Sequence, residues 1–203
     1  MGAFSNQGQV CISLQRIYVM ESMIHEFLSL LKVKIEQLIM GDPLDSKTDL
    51  ATMISRAEQQ RAYQWIKEAV AEGAQIITGG HIENHILLPT VLYNAQPQSR
   101  VSCEEIFAPV VTVNTVSSIE DAIAAINDSH YGLQAGVFTP SIEIAFQATK
   151  LLQVGGVIIN DVPTYRVDHM PYGGVKESGT GREGIKYAIE EMTEMKLVIW
   201  NNQ

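Results

Sequence analysis

The sequence predicts an α/β fold, a single three-layer α/β/α domain around a mainly parallel sheet. Segments with strand-like and helix-like apolar spacing alternate along most of the chain, the pattern of parallel strands joined by crossover helices. Apolar residues make up 46% of the 203 residues and charged residues 18%, which is enough apolar mass for a substantial core. No internal repeat and no linker-like run divides the chain.

Taken in order, residues 15–19 read as a short strand in which Ile17 and Val19 set the alternation. Residues 22–38 place Ile24, Phe27, Leu28, Leu31, Ile35 and Leu38 at helical spacing, and Gly41, Asp42 and Pro43 stop that run. A second amphipathic helix is expected at about 55–72, ended by Gly73, followed by a strand at 75–78 closed by Gly79 and Gly80. Residues 110–113 are strand-like. Residues 118–126 form a helix with Ser118 as its cap and Glu120 and Asp121 in its first turn, where the helix dipole favours negative charge. A strand at 134–138, a helix at 141–151 and a strand at 156–160 continue the alternation. Residues 161–184, rich in glycine and containing Pro163 and Pro171, read as a long functional loop. A short helix at 184–191 and a β-branched, aromatic strand at 196–200 complete the chain.

The net charge of −9, from 14 basic and 23 acidic residues with no basic cluster, disfavours a nucleic-acid partner. Two cysteines, Cys11 and Cys103, exclude a disulfide scaffold and suit a reducing compartment. The first residues lack the basic and apolar segments of a signal peptide, and Asn6 stands where a myristoylation signal needs Ser or Thr. No apolar run approaches the roughly 20 residues of a membrane span. The expectation is a cytoplasmic protein with no membrane partner. His81 and His85 have i,i+4 spacing, but Glu83 is misplaced for a zinc-protease motif and Gly79-Gly80 argues against a helix, so no metal site is expected.

Three segments carry chemistry. In FSNQGQVC, residues 4–11, Gly8 lets the backbone approach a substrate closely. A short helix start at Cys11 would offer N–H groups that stabilise a thiolate and hold an oxyanion. A lone cysteine is more commonly a small buried hydrophobe. In CEEIFAP, residues 103–109, a carboxylate pair beside Phe107 could orient a polar ligand edge while the ring packs on its face; the plainer reading is a solvated helix turn ended by Pro109. In PYGGVKESGTGREG, residues 171–184, Gly179, Gly181 and Gly184 formally match the dinucleotide fingerprint. That fingerprint needs a preceding strand and an acidic residue about 20 positions on, and neither is present, so these glycines are read as shaping a loop at a pocket mouth.

Together these segments resemble the aldehyde dehydrogenase superfamily, and the resemblance extends over essentially all 203 residues. It includes GDPLDS at 41–46, LPTVL at 88–92 (similar to a pocket-side strand), YGL at 131–133, GVFT at 136–139 and GGVIIN at 155–160. The resemblance implies that the fold is like the family's catalytic domain. It implies Cys11 as the nucleophile that forms a thiohemiacetal and then a thioester, with its own N–H as an oxyanion donor. It implies Glu105 as the carboxylate on the nicotinamide ribose, Phe107 as the ring near the nicotinamide, and Tyr172 and Ile12 as residues of the substrate pocket. Residues 196–200 resemble the strand that joins subunits, which implies a homo-oligomer, with residues 1–182 as the catalytic domain and 183–203 as the assembly segment.

The sequence departs from the family pattern at two places. Ile12, Ser13, Leu14 and Gln15 precede Arg16 where small residues are usual, and Ala108 replaces a glycine, a strained choice if that position needs positive φ. The family places its nucleotide-binding domain, an oxyanion asparagine and a general-base glutamate before the cysteine, whereas ten residues precede Cys11 here. The expectation is a catalytic-domain fragment acting on a small aldehyde, from a family that uses NAD or NADP, with no nucleotide bound by this chain itself. A non-catalytic remnant or assembly module is the alternative, and a thiol esterase that acylates once and then stalls ranks last. Arg166 and His169, in the loop before Tyr172, could attract an anionic aldehyde, although loop charges are usually just solvated. The purified 203-residue chain is expected to show no aldehyde-dependent reduction of NAD or NADP; measurable turnover refutes that.

Overall fold

The structure is a computed structural model that describes residues 2–202. A 3-10 turn at Ser5–Gly8 leads into β1 (Arg16–Met20) and, after a second such turn at Glu21–Met23, into α1 (Ile24–Glu36). Next come α2 (Arg56–Ala71), β2 (Gln75–Thr78), the two-residue strands β3 (Ile82–Glu83) and β4 (Ile86–Leu87), β5 (Thr90–Tyr93) and α3 (Arg100–Cys103). The second half runs β6 (Val110–Val116), α4 (Ile119–Asn127), β7 (Tyr131–Gly132), β8 (Gln134–Val137), α5 (Ile142–Leu151), β9 (Gly156–Ile159), β10 (Val175–Lys176) and α6 (Ile185–Met192). Three of the helices start at serine caps. Ser55, Ser118 and Ser141 accept hydrogen bonds from the N–H groups of Glu58, Asp121 and Ile144, satisfying donors that the first helical turn cannot pair.

The main sheet has the order β1-β6-β5-β2. β1 and β5 flank β6 in parallel, and β2 closes the edge in antiparallel register with a bulge near Ile76–Thr78. β8 and β9 form a separate parallel pair. Neighbouring residues on β5 face opposite ways, as a pleated strand requires. Val91 packs with Val111, Val113 and the α1 residues Ile24 and Ile35. Leu92 packs with Val110 and the α2 residues Ala62, Ile66 and Ala69. A helix therefore covers each face, which makes the three layers. Ile66 and Leu92 are fully buried, and each such side chain stabilises the fold by about 1.5–3 kcal/mol. A third cluster joins Ile123, Ala135, Ala148 and Leu152 across α4, β8 and α5.

Several expectations need correction. Residues 196–200 form no strand; Leu197, Val198, Ile199 and Trp200 are exposed, Trp200 to 84%. Their β-branched composition cannot make a strand without a ladder partner, and none among the described residues pairs with them. The segment at 88–92 lines neither of the two clefts that Cys11 lines: β5 lies inside the main sheet with both faces covered. The helix at 22–38 is a 3-10 turn followed by the shorter α1, and the strand at 110–113 continues to Val116. The short elements α3, β3, β4, β7 and β10 are too brief to leave a periodic signal.

Gly8 ties the cysteine segment to the second motif. Its φ is +69°, and a Cβ there would stand 2.1 Å from the Ala108 carbonyl oxygen, far inside contact distance. The glycine thus serves backbone-to-backbone packing within the protein, not approach to a substrate. Gly8→Ala is expected to cost about 2 kcal/mol or more through strain and collision, seen as a melting temperature lowered by several degrees in a circular-dichroism melt. An unchanged melting temperature counts against the contact.

Candidate active site around Cys11

Cys11 and Ile12 are the two central residues of a tight turn closed by the Ser13 N–H on the Val10 carbonyl at 2.9 Å. A turn of this kind bonds only its last N–H. The N–H groups of Cys11 and Ile12 accordingly have no acceptor among the described residues. No helix starts at Cys11; the turn, not a helix terminus, leaves these donors available. Two anchors hold the turn: the Leu14 N–H on the Gly2 carbonyl at 3.0 Å, and the Ser13 hydroxyl on the Ala3 carbonyl at 3.2 Å. Cys11 itself is an exposed free thiol.

Cys11 lies on two clefts. One, of about 410 Å³, is lined by Ile12, Gln15, Cys103, Glu104, Glu105 and Tyr131 among others. The other, of about 510 Å³, is lined by Leu133, Tyr172, Gly181, Arg182 and neighbouring loop residues. The structure therefore brings Cys11, Ile12 and Glu105 to one cleft and Cys11 and Tyr172 to the other. Phe107 lines neither; it is 38% exposed on the surface, in a left-handed conformation with φ 50°. The strain anticipated at Ala108 is located one residue earlier: Ala108 is buried and absent from the positive-φ residues, and Phe107 carries the unusual backbone.

Tyr172 is buried to 8% exposure and lines the loop cleft together with Cys11. Burial pushes its phenol above the ordinary tyrosine range, and the negative charge of a Cys11 thiolate adds to the effect, so the hydroxyl remains a proton donor near neutral pH. A backbone bridge with Glu183 fixes Tyr172, with the Tyr172 N–H on the Glu183 carbonyl at 3.1 Å. The Arg166 guanidinium lies 4.3 Å from the centre of the tyrosine ring and ion-pairs with Glu183 at 3.0 Å. Glu105 behaves differently. The residue is exposed overall; its carboxylate takes no hydrogen bond or ion pair from the described residues, and partial desolvation at the cleft wall pushes its pKa above the ordinary value.

The glycine-rich loop is pinned to the site by elements behind it. Gly155 lets β9 meet the loop backbone, since a Cβ there would fall 1.7 Å from the Gly173 carbonyl oxygen. Lys176 donates to the carbonyls of Asn127 at 2.7 Å and Ser129 at 3.0 Å, binding the loop to the end of α4 where the helix dipole favours a cation. The strand before Gly179, β10, pairs only with β7 in antiparallel fashion, so the glycines at 179, 181 and 184 do not form a dinucleotide-binding turn of the parallel sheet. The sequence places Tyr131, Lys176 and Gln15 in or beside the recognised motifs but does not show what they contact. Their partners lie tens of residues away, and no local pattern marks such contacts. No cluster of metal-ligating side chains occurs among the described residues, and no helix there is long and apolar enough to cross a membrane.

The chain belongs to the aldehyde dehydrogenase family, whose sequence profile matches residues 1–198. It is 49% identical over 199 residues to a 3-sulfolactaldehyde dehydrogenase of Priestia aryabhattai, covering 98% of this chain and 42% of that protein. It is 42% identical over 202 residues to a lactaldehyde dehydrogenase of Methanococcus aeolicus, covering 100% of this chain and 43% of that one. The chain thus spans less than half the length of these relatives. Among solved structures it superposes on aldehyde dehydrogenase 21 from Physcomitrella patens in complex with the reaction product succinate, with a TM-score of 0.93 and 42% identity over 95% of this chain and 40% of that one. The glyceraldehyde-3-phosphate dehydrogenase of Methanocaldococcus jannaschii, complexed with NADP, gives 0.92 and 38% identity over 96% of this chain and 42% of that one.

The position of Glu105 has a consequence for stability. A carboxyl whose folded pKa is raised favours the folded state less as it ionises, so its contribution falls as pH rises from the ordinary carboxylate range through the raised value. Glu105→Gln is therefore expected to raise the melting temperature at neutral pH and to leave it unchanged in acid below that window. A pH-independent difference overturns the assignment.

Proposed function

We propose that this chain is the catalytic-domain part of an NAD(P)-dependent aldehyde dehydrogenase, with Cys11 as the nucleophile acting on a short anionic aldehyde. The observation that supports this best is an exposed thiol at the meeting of two clefts, in a turn whose two inner N–H groups are unpaired. The Cys11 thiolate adds to the aldehyde carbonyl, and the developing oxyanion is met by the Cys11 and Ile12 N–H groups. Tyr172 shares the loop cleft with the sulfur, where the aldehyde enters, and its protonated phenol can donate to a bound substrate.

Glu105 fits the nicotinamide ribose: an unpartnered carboxylate on the other side of Cys11 can accept hydrogen bonds from sugar hydroxyls. When bound, the nicotinamide accepts hydride and so allows a thioester at the cysteine. Phe107, on the surface near Glu105, would meet the ring only from outside the clefts described. Residues 1–182 are proposed as the catalytic unit and 183–203 as the assembly segment. The exposed apolar side chains of Ile185, Ile189, Leu197, Ile199 and Trp200 favour association into a homo-oligomer, and they equally favour the second reading, an assembly module without turnover.

One relative named above is a 3-sulfolactaldehyde dehydrogenase and another holds its reaction product succinate, both charged compounds. Arg166 is the group proposed for such an anion, because Arg182, which lines the loop cleft, already donates to the Gly174 and Gly181 carbonyls. Arg166 stacks on the Tyr172 that lines that cleft, is partly exposed, and pairs among the described residues with Glu183, which a substrate carboxylate or sulfonate can displace. The test uses the chain alone, comparing Cys11 alkylation by anionic iodoacetate and neutral iodoacetamide. Arg166→Ala is expected to slow iodoacetate about threefold while leaving iodoacetamide within about twofold, the size of an exposed ion pair. An equal fall for both reagents removes the anion role, and a wild-type Cys11 no more reactive than Cys103 removes the nucleophile assignment.

A further inference from the structure

Gln15, the long polar residue where the family resemblance calls for a small one, has the most connected side chain between the two motifs. Its amide nitrogen donates to the Val101 carbonyl at 2.9 Å and to the Glu104 carbonyl at 2.6 Å. Its amide oxygen accepts the Ile106 N–H at 3.2 Å. Its own carbonyl takes the Thr112 N–H at 2.8 Å and the Thr112 hydroxyl at 3.3 Å. The side-chain bonds thus fall immediately before and after Glu105, while the residue itself lies four positions after Cys11. From the opposite side Arg61 donates to the Ile106 carbonyl at 2.7 Å.

We propose that Gln15 is a positioning residue that fixes where the Glu105 carboxylate stands relative to the Cys11 thiol. This rests on the reading of Glu105 as the cofactor-facing carboxylate. A single amide satisfying one N–H and two carbonyls of a segment with no strand pairing of its own substitutes for a ladder, and it holds Glu105 over the cleft while Phe107 turns outward. Surface-loop charges are ordinarily free to swing into water; here the backbone on both sides of the charge is clamped. Glu104, Cys103, Tyr131, Glu177 and Arg16 line the same cleft; the rise of Glu105 comes from desolvation, while the carboxylates act on the Tyr131 phenol.

The test follows the Glu105 carboxyl by carbon NMR titration in the full 203-residue chain, with Cys11 alkylation by iodoacetamide and the melting temperature measured alongside. Gln15→Met keeps the bulk and removes all three side-chain bonds. The expected result is a Glu105 midpoint that moves down toward the ordinary carboxylate value, with Cys11 alkylation unchanged within about twofold, because the cysteine turn has its own anchors. A lowered melting temperature with an unmoved Glu105 midpoint overturns the proposal, since a purely structural role predicts that. Gln15→Asn, which keeps an amide too short to reach its partners, is the second variant should Gln15→Met fail to fold, and the same shift is expected. Loss of folding in both also overturns it, by making Gln15 a residue of general stability. Failure of the underlying reading is seen separately, as a wild-type Cys11 that iodoacetamide alkylates no faster than Cys103.

Discussion

The approach of Gly8 to the carbonyl of Ala108 is the constraint on which the rest of the site depends. It sets two segments a hundred residues apart at backbone contact, where no side chain fits between them. Once they touch, the cysteine turn has one place to stand. The residues that follow it enter β1 beside β6, and the Gln15 amide reaches the segment around Glu105. The core explains why such a contact persists. β5 and β6 are covered on both faces, so the platform beneath Ala108 has little freedom to retreat.

Much of this was legible in the sequence, and the reasons differ by element. The helix at 118–126 announces itself through its serine cap and acidic first turn, and it is observed with that cap, while the caps at Ser55 and Ser141 emerge from the structure. The alternation of strands and helices predicted the layered fold, because buried parallel strands need crossover helices. Residues 196–200 failed for the opposite reason. Their composition records a preference for pairing, but pairing requires a neighbour that composition does not encode. The Ala108 departure was visible, and its consequence was misplaced: the left-handed residue of this segment is Phe107, not Ala108. Cys11, Ile12, Glu105 and Tyr172 do reach the clefts, whereas Phe107 does not, since motif order says nothing of where a ring points after such a turn.

Charge is arranged unevenly around the thiol. On the loop side Arg166 and Glu183 cancel each other beside the Tyr172 ring, an arrangement that costs little in water and is readily exchanged for another anion. On the far side Glu104, Glu105 and Glu177 share a cleft with Arg16, whose guanidinium is already engaged by Tyr18 and by the carbonyls of Ala125 and Ile126. That wall is net acidic and receptive to hydroxyl and cationic groups. The tyrosine wall of one cleft is thus backed by a balanced ion pair, whereas the other cleft carries an excess of carboxylates.

The sharing of Cys11 by two clefts also bears on traffic. A reagent attached to the sulfur through the loop cleft blocks that doorway alone, and the Glu105 doorway stays open behind it. Arrivals on one side need not wait for departures on the other. Such a thiol is a checkpoint between two rooms, and enlarging a side chain in one room, at Thr180 or Gly181 for example, should slow entry there without narrowing the passage through the other.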